Sequence, residues 1–143
     1  MKEIRDSRIL IENKPLKGLD GSLCVGSIVE EIKLAIDALG SGFCLDFGHA
    51  IAAANSHHRN PILFLRGFLD LKPTMYHLTD GDLKSELDSH LPYGRGNYPI
   101  PELFSMIEDG ALVTDEASRT DPERLDEYLA DRAYATTNAG ASK

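Results

Sequence analysis

Gly42-Phe43-Cys44-Leu45-Asp46-Phe47-Gly48-His49-Ala50 decides the fold. An apolar run of strand composition ends in a carboxylate, Asp46, and an imidazole, His49, follows three residues later. The pattern recurs along the chain. Arg8-Ile9-Leu10-Ile11-Glu12-Asn13 ends in Glu12, Thr74-Met75-Tyr76-His77 ends in a histidine, and Ala111 to Glu116 ends in two acids. Asp88-Ser89-His90 adds an acid and a histidine from a polar stretch. Acids and histidines closing successive short apolar runs point to one shared site of metal-binding character.

The segments between these runs read as helices. Ser27 and Glu30 have capping-box spacing, and Ile28, Ile32, Ala35, Ile36 and Leu39 then recur at helical period up to Gly40. Asn13 to Gly21 reads as a loop, and Ala50 to Arg59 as a connection holding at most a short helical turn. Asn60-Pro61 opens a helix over 62–71 that Pro73 ends. A strand over 74–78 leads into a polar loop from Thr79 to Tyr98, too long for a plain connector. Pro101 starts a helix to about Asp109, 111–116 is a strand, and Asp121-Pro122-Glu123 opens the last helix. Leu125, Tyr128, Leu129 and Ala133 mark its expected buried face.

The fold class is therefore α/β, with four consecutive βα units whose strands lie parallel. A (β/α)8 barrel has eight such units over about 250 residues, and this sequence has 143. It predicts half of a TIM barrel: one (β/α)4 domain over residues 1–135, then a flexible tail over 136–143. Four parallel strands leave two open edges. A partner chain (a second copy or a complementary half-chain) or a missing N-terminal half is expected to cover them.

The formal net charge of −8 argues against a broad nucleic-acid-binding face. No window is long and apolar enough to span a membrane, and the first residues lack the apolar core of a signal peptide. Cys24 and Cys44 form no disulfide framework and have no ligand spacing. Cys44, inside an apolar run, is expected as a buried thiol, and the protein is expected in the cytoplasm.

Strand parity selects the ligands. Leu10 and Glu12 share a face, as do Cys44 and Asp46, Met75 and His77, and Thr114 and Glu116. Glu12, Asp46, His77 and Glu116 can thus converge at one rim, with Asp115 as the competitor to Glu116. Three carboxylates and an imidazole suit a divalent metal such as Mn²⁺, Mg²⁺ or Zn²⁺. His49, Asp88 and His90 form a second set, for another ion or for substrate. Arg95, between Gly94 and Gly96, is a weaker candidate for pairing with a substrate anion. His57-His58 reads as a solvent-exposed pair, and Asp80 and Asp82 as turn formers.

The ordered set Ile11-Glu12-Asn13, Leu45-Asp46-x-x-His49-Ala50, His77-Leu78-x-Asp80-Gly81, Asp88-x-His90 with Gly94-x-Gly96, and Glu116 resembles the xylose-isomerase-like TIM barrels. That superfamily includes sugar isomerases and epimerases and endonuclease IV (apurinic/apyrimidinic endonuclease family 2). The resemblance spans about residues 8–130 and covers the C-terminal half of the family barrel. It implies a divalent ion on Glu12, Asp46, His77 and Glu116. It further implies a sugar or sugar-phosphate substrate isomerised or epimerised through a metal-stabilised enediolate, with Glu12 and Glu116 as acid and base. In the endonuclease IV branch the resemblance instead implies zinc ions and phosphodiester cleavage at abasic DNA, with residues like His49, Asp88 and His90 holding one zinc. Two further histidine ligands of that branch belong to the N-terminal half and have no counterpart here. A third expectation is a catalytically incomplete, metal-binding remnant.

Overall fold

The computed structural model describes residues 8–121, 123 and 125–139. Strands β1 (Leu10–Glu12), β2 (Gly42–Asp46), β3 (Met75–His77) and β4 (Leu112–Thr114) alternate with helices. These are α1 (Val29–Leu39), α2 (Phe47–Ser56), α3 (Pro61–Leu69), α4 (Ile100–Ser105) and α5 (Asp126–Ala139). The strands pair in parallel in chain order, β1-β2-β3-β4. The register sets Glu12 beside Cys44, Asp46 beside His77, and His77 beside Thr114. Ile11, Phe43, Leu45, Tyr76 and Val113, of one parity, join Phe47, Leu65, Phe68, Ile100 and Leu103 in the core under the helices. The opposite parity carries Glu12, Cys44, Asp46 and His77 to the other face. The α/β fold with four parallel strands is the one the sequence predicts.

Several elements differ from expectation. The connection after β2 is a ten-residue helix, α2, that begins as the strand ends. Asp46 is its N-cap, accepting a hydrogen bond from the His49 amide at 2.8 Å. Phe47 through Ala54 are all buried, and α2 packs against α3. At α1 the capping acid is Glu31, not Glu30: its Oε2 accepts from the amides of Gly26 and Ser27 at 2.7 and 3.1 Å. The Ser27 hydroxyl turns instead to His57 Nε2, 3.2 Å away. His57 is accordingly half-buried beside Phe64, and only His58 is exposed.

The last elements also shift. α4 stops at Ser105, and β4 ends at Thr114, short of the two acids. α5 begins at Asp126. Pro122, part of the expected start, lies outside the described residues. Leu125 and Leu129 are exposed, while Asp131 is buried and Tyr134 and Ala135 pack on the core. An ion pair with Arg119 draws Asp131 inward and turns the helix away from the face its leucines predict. The helix continues to Ala139, so residues 136–139 of the expected tail are helical, and 140–143 lie outside the described residues.

Candidate functional site

Two clusters form at the C-terminal ends of the strands. In the first, Glu12, Asp46, His77 and Glu116 each offer a ligand atom, all within 4.8 Å of one another. His77 Nδ1 lies 3.4 Å from Glu12 Oε1, 3.8 Å from Asp46 Oδ2 and 3.2 Å from Glu116 Oε1. Glu116 gets there although β4 has ended two residues earlier. Its neighbour Asp115 is engaged elsewhere, accepting from the Ala117 amide and pairing with Arg119.

His49, Asp88 and His90 form the second cluster, again within 4.8 Å. Asp88 Oδ2 is 3.9 Å from His49 Nε2 and 3.8 Å from His90 Nε2. Gly48 makes room for this carboxylate: a Cβ there would lie 2.8 Å from Asp88 Cγ and closer still to Oδ2. The cluster opens on a cavity of about 220 Å³ whose walls include Lys14, Lys17 and Cys24. His49 joins the two clusters, since its Nδ1 faces Glu12 and Asp46 at 3.4 and 3.6 Å.

Asn13 holds this arrangement together, a role its sequence context does not reveal. It is fully buried. Its side-chain amide donates to the Asp46 carbonyl and its oxygen accepts from the Asp46 amide, both at 2.8 Å. Its own carbonyl lies 3.0 Å from His49 Nδ1. A proton held on Nδ1 by that carbonyl leaves Nε2 with its lone pair toward Asp88 and His90, the tautomer a metal needs. Asp80 is the second such residue: it is buried, and it accepts hydrogen bonds from several backbone amides of its loop where a simple turn former was expected.

The charges suit cations. Burial works against ionisation of Glu12, but hydrogen bonds from His49 and Lys14 overcome it and hold the carboxyl at about 2. Burial pushes Asp46 up to about 6, with Asp88 and Glu12 adding to the rise and His49 opposing it. Burial likewise disfavours the charged form of His49, yet Glu12 and Asp46 raise it above the ordinary histidine value. Cys44 is a buried thiol, pushed up to about 12 by burial and by Glu12, Asp46 and Glu116.

Both clusters fit divalent ions. His77 Nδ1 and Asp88 Oδ2 are buried and have no hydrogen-bond partner. Orphaned buried polar atoms are costly, and a cation between the carboxylates and imidazoles would satisfy them. Oxygen-rich ligation in the first cluster favours a hard or borderline ion, and the two imidazoles of the second favour zinc-like ions. Arg95 belongs to neither cluster. It is exposed, on a cavity of about 450 Å³ with Ser118, Thr120 and Glu127. No helix among the described residues is long and apolar enough to cross a membrane.

No family model matches the sequence, and no curated protein matches it. Among solved structures, the crystal structure of a D-tagatose 3-epimerase-like protein matches with a TM-score of 0.68 and 18% identity. The match covers 93% of this chain and 47% of that one, so this chain spans about half the length of the solved relative. At that identity the likeness speaks for the fold alone, and it is the likeness expected of half a (β/α)8 barrel.

Proposed function

We propose that this chain is the metal-binding half of a divalent-metal-dependent sugar or sugar-phosphate isomerase or epimerase. The observation that carries the reading is the convergence of Glu12, Asp46, His77 and Glu116, with His77 Nδ1 buried and unpartnered among three carboxylates. A bound divalent ion supplies Lewis-acid polarisation of a carbonyl and its neighbouring hydroxyl. Asp46 and His77 come from the two central strands and hold position. Glu12 ends outer strand β1 and Glu116 follows outer strand β4, so the two approach from opposite sides of the central pair. Held ionised, Glu12 takes the proton from the carbon beside the carbonyl and becomes the acid, while Glu116, entering the turnover protonated, gives its proton to the opposite face and is left a carboxylate; exchange with water resets both. Two-sided transfer of this kind inverts the carbon.

The reading includes a second half-barrel paired against the open edges of β1 and β4, in a cytoplasmic enzyme. The test combines native mass, metal content and solvent deuterium exchange on ketoses with the full chain. About one Mn²⁺ or Mg²⁺ per chain, with deuterium entering beside the carbonyl and lost in Glu12→Gln, supports it. A metal-free monomer that exchanges no carbon-bound proton with any ketose refutes it and supports an inactive remnant.

One observation favours a second reading. The His49, Asp88 and His90 cluster can take another ion, and Asp88 Oδ2 is an orphan there. Two metals side by side suit phosphodiester hydrolysis, here an endonuclease IV-like zinc enzyme acting on abasic DNA. Cleavage of an abasic duplex by the zinc-loaded chain supports this reading, and intact duplex beside active ketose exchange excludes it.

A further inference from the structure

We propose that Asp80 is a positioning residue for the second cation cluster, the hub that brings Asp88 and His90 to His49. The inference rests on the reading of that cluster as an ion site. Asp80 is 2% exposed, and its carboxylate is taken up by backbone amides of its own loop. Its carboxylate accepts from the amides of Gly94 and Gly96 through Oδ2, at 2.9 and 3.0 Å, and from Gly81 and Tyr98 through Oδ1, at 2.8 and 3.1 Å. Its backbone pairs with Leu91 in both directions, N–H to carbonyl at 2.8 and 2.9 Å. The chain that leaves Asp80 and carries Asp88 and His90 is therefore gathered at its base on Asp80, with the Asn97 amide on the Gly81 carbonyl beside it at 2.8 Å.

The glycines around this hub show how tightly it is drawn. A Cβ on Gly96 would lie 2.5 Å from Asp80 Oδ1 and against the Gly81 carbonyl. A Cβ on Gly81 would lie 2.6 Å from the Tyr98 ring. Leu91, fixed by Asp80, directly follows His90, whose backbone is held at φ 46°. Left-handed backbone at a non-glycine residue persists only where surrounding structure enforces it. Here the enforcement is the Asp80–Leu91 pair on one side and the Ser118 amide, 2.7 Å from the His90 carbonyl, on the other. A carboxylate is the side chain for the task, because it is acceptor-only and can take several amides at once. An asparagine of the same size must turn its NH2 group toward amide donors.

The test is a Co²⁺ titration of the full chain, read by chelator competition and visible absorption. Asp80→Asn is expected to bind the first ion as the parent does. The second should bind about 10–100-fold more weakly, the range typical of lost outer-shell support, with an altered absorption band. Parent-like affinity for the second ion overturns the proposal. Should Asp80→Asn fail to fold, Gly96→Ala loosens the same grip with the carboxylate retained. It is expected to show the same split, and parent affinity in it is equally fatal. A parent chain that takes up no ion refutes the ion-site reading but not the hub, and hydrogen exchange then decides. The Leu91, Gly94 and Gly96 amides should exchange about tenfold or more faster in the variant while the Asp46 amide is unchanged. Equal protection overturns the proposal.

Discussion

Replacing Gly48 by alanine separates the two clusters. In most exposed helices this change stabilises by roughly 0.5–1 kcal/mol, because glycine is a poor helix residue. In α2 the new Cβ would lie 2.8 Å from Asp88 Cγ, where ordinary contacts begin at 3.4 Å. The carboxylate must retreat by about 0.6 Å or more, several times the roughly 0.2 Å that ligand geometry tolerates. Asp88 Oδ1 also accepts from the His90 amide at 3.1 Å, so the retreat loosens both loop ligands together. Weakening that bond costs about 1–2 kcal/mol, close to the helix gain, so overall stability changes little. The three atoms nearest the new methyl all belong to Asp88, so the clash falls on that residue first. In a metal titration paired with a thermal melt, Gly48→Ala is therefore expected to keep the first ion within about twofold and lose at least about tenfold at the second. Two parent-like ions in a normally melting variant would refute the packing argument and the assignment of Asp88 as a ligand.

Other expectations follow from the same geometry. His77→Ala removes the one nitrogen of the first cluster and should abolish tight binding there while leaving the second ion, seen as a drop of one ion per chain in elemental analysis. A raised Asp46 stabilises the metal-free fold below its unfolded value of 3.8, and that contribution is lost as pH rises through about 6. Ion binding runs the opposite way, since it needs the carboxylate: first-site affinity should fall roughly tenfold per pH unit below 6, with proton release on calorimetry. Cys44, buried and pushed up to about 12, should resist thiol reagents at pH 8 in the native chain while half-buried Cys24 reacts first. Equal labelling of both would contradict the burial.

The strands and the convergence of polar residues at their ends were legible because a strand's parity is rigid. Once Leu45 faces the core, Asp46 must face away from it, and the parallel register brings His77 alongside. What escaped prediction lacks any such period. α2 is buried from Phe47 to Ala54, so no polar face betrays it as a helix. The buried face of α5 is set by Arg119, which pulls in Asp131 against the pattern of the leucines. Asp80 and Asn13 look like ordinary turn residues until their partners, Gly94 and Gly96 in one case and Asp46 in the other, are brought near by the fold.

The first cluster is graded from its centre outward, and the gradient links chemistry to assembly. The side chains of Asp46 and His77, on the central strands, are 5% and 14% exposed, while those of Glu12 and Glu116 are 24% and 38% exposed. The central pair is locked by the α2 cap and the register. The outer pair lies at the end of β1 and just beyond β4, the two strands that have a neighbour on one side only among the described residues. Lys14 holds Glu12 from the solvent side at 2.6 Å, a pairing that a cation would have to share or displace. Whatever pairs with those edges would fix the backbones that aim both glutamates, and preorganised ligands bind more tightly than mobile ones. The same two residues are the proposed proton carriers, so closing the sheet would sharpen ion affinity and proton transfer together.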